Sequence, residues 1–272
     1  MNKQIMIPET QYPLTKKYIW QWYENIPKEL SLDFLSDKEK DEVSCYYEEA
    51  GLLKSWRRPF FQVHFSNTFT EAAKFLLSGK DSPTIIDIGS GYGTQAIFLA
   101  LLGARVISVD LDPLSLSIQR KRIAFYEEIS QKKLKIDIIE GDSLALDYSA
   151  LGPFDALYSM FAFNMIQPSS DLLEMILPSM AARSRFVIQD GNASSAVKWI
   201  IPSRKRDVLS PQDLSDILID RQFEIREHKG CVVTPPMFWL ILPNGLLEIL
   251  EAPLRANWLL PISHQILAIK KD

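Results

Sequence analysis

The chain has 272 residues, 47% of them hydrophobic and 24% charged, with a formal net charge of −4. That is enough chain to bury one large core, the composition is ordinary for a globular protein, and the acidic balance argues against a bulk nucleic-acid binder, whose footprint is usually basic. The two cysteines, Cys45 and Cys231, form no C-x-x-C pair or Cys/His cluster, so neither a structural zinc site nor any other metal is expected. The opening M-N-K-Q-I-M-I-P-E-T lacks the apolar core of a signal peptide, and the later apolar stretch 237–250 is broken by Pro243, Asn244 and Gly245, too short to span a bilayer. A soluble, cytoplasmic protein without a membrane span is the expectation.

In chain order, residues 1–80 read as a helical extension or cap, and residues 81–272 as the main domain. In the extension, Lys16 to Tyr23 is dense in aromatics, and Ser36 with Glu39 makes a capping box for a helix reaching Gly51. A loop is expected over S-W-R-R-P-F-F-Q-V-H-F-S-N, after which Asn67 would cap a helix from Thr68 to Ser78. Thr84 to Ile88 is a β-branched run suited to a buried parallel strand. Gly89, Gly91 and Gly93 crowd the next five positions, and Thr94 to Leu102 is apolar almost all round, as a buried helix would be. Ala104 to Val109 is a second strand closed by Asp110. Asp112-Pro113 starts a helix whose buried stripe should be Leu114, Ile118, Phe125 and Ile129. Further strands are expected at Leu134–Glu140, Phe154–Met160, Ser184–Asp190, Phe223–Val233 and His264–Lys270. Helices are expected at Asp171–Met180, ended or kinked by Pro178, and from Ser210 to about Arg221. Residues 234–261 form an insertion, and the basic run Arg204-Lys205-Arg206 reads as a solvated loop. Strands alternating with helices imply an α/β fold with a doubly wound, mostly parallel sheet. Its ligand should lie outside the carboxyl ends of the strands.

A glycine turn between strand and helix, with an acid about 20 residues further on, is the arrangement that holds a nucleoside, the acid meeting the ribose. The dinucleotide form requires G-x-G-x-x-G. Here the spacing is G-x-G-x-G, and Thr94 stands where the third glycine would be.

Four segments carry a resemblance: I-D-I-G-S-G-Y-G at 86–93, V-D-L-D at 109–112, G-D-S at 141–143 and F-D-A-L-Y-S at 154–159. In their order and spacing the chain resembles a class I S-adenosylmethionine-dependent methyltransferase. The resemblance implies a seven-stranded Rossmann-like sheet, with one antiparallel strand inserted by the hairpin of residues 223–233 and 264–270. It implies that Asp87, Gly89, Ser90, Gly91 and Gly93 line the methionine end of the cofactor. Asp110 would bind the ribose hydroxyls, Leu111 would lie against the adenine, Asp142 would accept from the adenine amino group with Ser143 beside it, and Ser159 would border the sulfonium. A carboxylate ahead of the first glycine suits a cofactor that is itself a cation.

The implied reaction transfers a methyl group from S-adenosylmethionine, with S-adenosylhomocysteine as product. After the fourth strand the chain reads S-M-F-A-F-N. It lacks the D/N-P-P-Y/F motif of amino-methylating nucleic-acid and protein enzymes and has no catalytic cysteine there. Phe161 and Asn164 suggest an apolar wall with one polar group, and His64 is the histidine placed to reach a substrate. The expected acceptor is a small or lipid-like apolar molecule, methylated on oxygen, with carbon or nitrogen as variants. Nucleic acid is not the expected partner. The alternatives are an RNA or protein methyltransferase docking through Arg57, Arg58 and residues 204–206, or a catalytically silent cofactor-binding scaffold. No general base is named, and the sequence leaves the oligomeric state open.

Overall fold

The computed structural model describes residues 5–195, 209–234, 244–256 and 260–272. A seven-stranded sheet runs in the order β3-β2-β1-β4-β5-β7-β6. Its strands are β1 (Thr84–Ile88), β2 (Arg105–Asp110), β3 (Ile136–Glu140), β4 (Phe154–Met160), β5 (Met180–Gly191), β6 (Phe223–Val232) and β7 (Ser263–Lys270). Strands β1 to β5 pair in parallel, and β7 is antiparallel to both β5 and β6. The mostly parallel sheet and the antiparallel hairpin are those expected from the sequence. Among the described residues no helix is long and apolar enough to cross a membrane.

Side-chain alternation along the central strands decides what lies on each face. Ile86, Ile88, Ile107, Val109 and Leu157 point to one side and pack with α9 (Ser169–Ile176) and α10 (Pro211–Asp220) through Leu172, Leu214 and Leu218. Ile85, Val106, Ala156 and Tyr158 point to the other. There they meet α6 (Thr94–Leu101), α7 (Pro113–Ser130) and the N-terminal extension. Asp87, Ser108 and Asp110 share this second parity, which aims all three at the extension's side of the sheet.

The extension comprises α1 (Lys16–Tyr23), α2 (Ile26–Glu29), α3 (Asp37–Ala50), α4 (Arg58–Phe61) and α5 (Thr68–Leu77). Ile19, Trp22, Tyr23, Tyr47, Phe61 and Phe69 belong to the same core cluster as Ile85, Phe98 and Tyr158. Each fully buried side chain of this size contributes about 1.5–3 kcal/mol. The capping box is present: Glu39 accepts from the Ser36 backbone N–H at 2.8 Å and from its hydroxyl at 2.7 Å.

Three expectations are corrected. The loop expected over residues 55–67 is helical, α4 running through a π-helical turn (Gln62–Asn67) into α5. Asn67 is therefore inside the helix, at φ −66° and ψ −45°, and caps nothing. The wide turn is held from the sheet, where the Gln189 amide donates to the His64 carbonyl at 2.8 Å and Thr68 Oγ1 to the same oxygen at 2.6 Å. Secondly, Leu114, Phe125 and Ile129 of α7 are only half-buried; the fully buried face carries Ser115, Gln119, Arg122 and Tyr126 beside Leu116 and Ile118. Thirdly, α9 begins at Ser169 and stops at Ile176, a 3₁₀ turn containing Pro178 follows, and β5 starts at Met180. Between β3 and β4 lies a short helix, α8 (Tyr148–Leu151), capped by Asp147. Of the insertion at 234–261, α11 (Asn244–Glu251) is described; residues 204–206 lie outside the described residues.

Arg122 and Glu29 form an ion pair buried on both sides, with Nε–Oε2 at 2.7 Å and Nη2–Oε1 at 3.0 Å. Arg122 also donates to the Tyr92 carbonyl at 2.6 Å and to Thr94 Oγ1 at 2.7 Å. Removing one partner of such a pair strands the other charge in the core. Arg122→Met should cost about 3–5 kcal/mol of unfolding free energy in a urea titration. The double variant Arg122→Met/Glu29→Leu should recover part of that loss; a loss below about 1 kcal/mol for the single variant would show the pair is not buried as described.

Candidate active site

The site is built at the carboxyl ends of β1 and β2. Gly89, Gly91 and Gly93 all have positive φ, at 72°, 51° and 69°. Two of the three are also required by packing. A Cβ at Gly89 would collide with that of Ala162 after β4, and one at Gly93 would strike the Gln119 side chain. A Cβ at Gly91 would meet nothing within 4 Å. Space therefore opens over the middle of the turn, where a ligand could approach the backbone.

Two acids control the turn. One Asp110 oxygen accepts from the Gly91 N–H at 2.7 Å, the other from the Asp112 N–H at 3.0 Å. Asp87 is buried, and no donor among the described residues is bonded to its carboxyl. Burial first, and then the Asp110 charge, push Asp87 up to about 8. A buried carboxyl short of a positive partner, beside a second carboxylate, is a place where a cation would be stabilised.

Below the turn, Gln119 braces three points. Its amide donates to Ser108 Oγ at 2.6 Å, its carbonyl accepts from Ser90 Oγ at 3.4 Å, and its stem fills the space under Gly93. Arg122, one helical turn on, holds the Tyr92 carbonyl. Sequence reasoning missed both residues; the available signal was that Ser115, Gln119 and Arg122 recur at helical spacing on the same face as Ile118 and Tyr126.

A pocket of about 180 Å³ opens over the turn. Its floor includes Gly89, Ser90 and Gly91, and its walls include Tyr23, Tyr47, Phe65, Tyr92 and Phe161. Gln95 lines it too, donating to the Tyr23 hydroxyl at 3.0 Å. Tyr23, Tyr46, Tyr47 and Phe65 of this lining come from the extension, and Tyr47 and Gln95 were not singled out from the sequence. Phe161 sits at φ 58°, a left-handed conformation rare for a bulky side chain, which turns its ring toward the extension.

The remaining expected residues are placed as follows. Leu111 is 68% exposed beside Asp110, open to a planar ligand. The Gly141 N–H donates to the Asp110 carbonyl at 3.0 Å, so Asp142 and Ser143 flank the same rim, Asp142 exposed and Ser143 buried. Ser159 does not border the pocket. Its parity puts it on the far face of β4, and its hydroxyl is donated to the Ile88 carbonyl at 2.8 Å; Met160, Phe161 and Ala162 line the pocket instead. Asn164 also turns away, its N–H donated to Asp190 and its amide to the Gly191 carbonyl. His64 stands one ring behind the wall, stacked between Phe60 and Phe161 at centroid distances of 5.1 and 4.8 Å. Burial pushes its imidazole down to about 3. His228 and His264 face each other across β6 and β7 at 3.1 Å, apart from the pocket.

Comparison with known proteins agrees with this geometry. Residues 85–181 match a family described as a methyltransferase domain. The probable ribosomal RNA small subunit methyltransferase A of Methanosphaera stadtmanae is 30% identical over 89 residues, 33% of this chain and 30% of that protein. The release factor glutamine methyltransferase of Chlorobaculum tepidum is 34% identical over 106 residues, 38% of this chain and 35% of that protein. The chain thus spans about a third of the length of these relatives. Among solved structures, magnesium protoporphyrin IX methyltransferase from Synechocystis PCC 6803 with bound S-adenosylmethionine superposes with a TM-score of 0.55 at 13% identity, covering 97% of this chain and all of that one. The plantazolicin methyltransferase BpumL with S-adenosylhomocysteine gives 0.51 at 17% identity over 94% and 99% of the two chains. At these identities the structural likeness is one of fold. Residues 85–181 are thus similar to a methyltransferase domain, and the seven-stranded sheet with its acid-flanked glycine turn agrees with the class I S-adenosylmethionine-dependent form of it.

Proposed function

We propose that the chain transfers a methyl group from S-adenosylmethionine to a small or lipid-like apolar acceptor, on oxygen. The observation that carries this reading is the pocket over the glycine turn. It is walled by aromatic rings, and among the described residues no lysine or arginine lines it. An RNA-directed enzyme would present cations at this mouth. Of the two arginines considered for docking, Arg58 lies over Trp20 at 5.2 Å and pairs with Glu24 at 2.7 Å, and Arg57 lies over Trp56 at 5.5 Å.

The residues fit the cofactor. Open space over Gly91 admits a ligand against the backbone, Asp110 can exchange the Gly91 N–H for ribose hydroxyls, and Asp87 offers a negative charge where a cation would lie. Leu111, Asp142 and Ser143 supply the adenine rim. When bound, S-adenosylmethionine supplies a methyl group activated by its cationic sulfur. The protein's contribution is then alignment and exclusion of water, which can account for several kcal/mol of barrier without a proton transfer. Phe65, Phe161, Tyr23 and Tyr47 do this by enclosing the space beside the turn. A base is needed only if the acceptor must lose a proton. His64, neutral at pH 7 and behind Phe161, is suited to shaping the wall rather than to that task.

Two outcomes test the reading. Asp110→Ala should weaken S-adenosylhomocysteine binding about 10- to 150-fold in a calorimetric titration, the loss of a charge-assisted contact worth roughly 1.5–3 kcal/mol; unchanged affinity would remove Asp110 from the ribose. Methyl-transfer assays should show turnover with apolar hydroxylated acceptors, and turnover only on RNA or protein would overturn the acceptor class.

Asp87 gives a pH dependence. Its folded pKa lies above its unfolded value, so a cationic ligand must draw off a proton below about pH 8. Affinity for S-adenosylmethionine should rise from pH 6 to 8 and level above. Proton release at pH 7 should show as a difference between buffers of unlike ionisation enthalpy. Asp87→Asn should flatten both; an unaltered profile in that variant would place the cation elsewhere.

A further inference from the structure

The amino end of the sheet, opposite the glycine turn, holds a second cluster of charge. Between Phe154↔Met180 and Ala156↔Arg185, β4 advances two residues while β5 advances five. The excess is a bulge, a device that re-aims side chains. Arg183 within it has φ 59°, a left-handed conformation that costs an arginine free energy. Around this excursion lies a cavity of about 240 Å³, lined by Gly79, Lys80, Asp155, Arg183, Ser184 and Arg185 among others.

The groups in this cavity are unevenly partnered. Lys80 pairs with Asp155 at 2.7 Å, and Asp155 also accepts from the Thr84 N–H at 2.8 Å. Arg183 has the Asp272 carboxylate at 3.6 Å, both of them exposed. Arg185 has no carboxylate partner among the described residues. Its Nε donates to Ser78 Oγ at 3.2 Å and its guanidinium lies over Phe75 at 5.8 Å. Glycine at position 79 makes room for it, since a Cβ there would overlap the guanidinium. Ser184 is buried at 2% exposure and its hydroxyl has no hydrogen-bond partner. Burial, followed by the charge of Arg183, lowers the Arg185 pKa, and the nearby Asp155 carboxylate offsets this only in part.

We propose that this cavity binds a small phosphate-class oxyanion, held by the Arg183 and Arg185 guanidinium groups that line it. Guanidinium groups match such an anion in geometry as well as charge. A divalent oxyanion would relieve the repulsion between the two arginines. The site lies at the opposite end of the strands from the glycine turn, so the inference does not rest on the methyl-transfer reading.

The test is calorimetric titration of the full chain with inorganic phosphate at fixed ionic strength, with chloride as the screening control. Wild type should bind phosphate saturably, and its melting temperature should rise with phosphate but not with chloride. Arg185→Gln should weaken binding about tenfold, the loss of one charge-assisted contact. Arg183→Gln, at an exposed guanidinium, should also weaken it, and keeps the test open should Arg185→Gln fail to fold. Absence of saturable binding, equal binding in both variants, or binding of a short single-stranded RNA without binding of phosphate would each overturn the proposal.

Discussion

The Arg122–Glu29 ion pair is the joint on which the site depends. It sits fully inside the protein, where a lone charge is costly and a pair is tolerated only if its remaining donors and lone pairs are satisfied. Here they are. Tyr126 donates to Glu29 at 2.7 Å, and Arg122 spends its other donors on Thr94 and the Tyr92 carbonyl. The pair adds little net stability over an apolar replacement, and its value is register. It fixes α2 of the extension against α7 of the main sheet and clamps the carbonyl in the middle of S-G-Y-G. Trp22 reinforces the joint by donating its indole N–H to the Thr94 carbonyl at 3.0 Å, and Tyr47 does so through Thr94 Oγ1 at 2.7 Å. Glycine turn and extension therefore form one structural unit.

This joint explains the character of the pocket. A glycine turn alone is an open groove. The extension covers it with Tyr23, Tyr47 and Phe65, and β4 contributes Phe161, whose left-handed backbone presents its ring to the same space. The result is a low-dielectric chamber next to a buried carboxyl. In such a chamber a positive sulfur would feel Asp87 far more strongly than it would in water, and an apolar acceptor would be preferred over a hydrated one.

The sheet and the glycine turn were legible from sequence because each rests on local chemistry. β-branched runs make β1 and β2, glycines at 89, 91 and 93 permit positive φ, and the capping patterns at Ser36, Asp112 and Ser210 are satisfied within one turn of helix. Residues 55–67 were not legible. Their π-turn is held by Gln189, which is 125 residues from His64 in sequence, and no local propensity reports such a contact. The polar face of α7 misled for a related reason: hydrophobic periodicity finds the apolar stripe, whereas Gln119 and Arg122 are buried because distant groups satisfy them. Ser159 was misplaced by one position of strand parity. The residue after β4 that faces the pocket is aromatic, and the serine is spent on the neighbouring strand.

The measurement that bears most directly on this account is a crystal structure of the protein with S-adenosylhomocysteine. The ribose hydroxyls should lie on Asp110, with Gly91 released from that carboxylate, and the sulfur should face the space enclosed by Tyr23, Phe65 and Phe161. A nucleoside bound away from Asp110, or a sulfur directed out of the aromatic chamber, would contradict it.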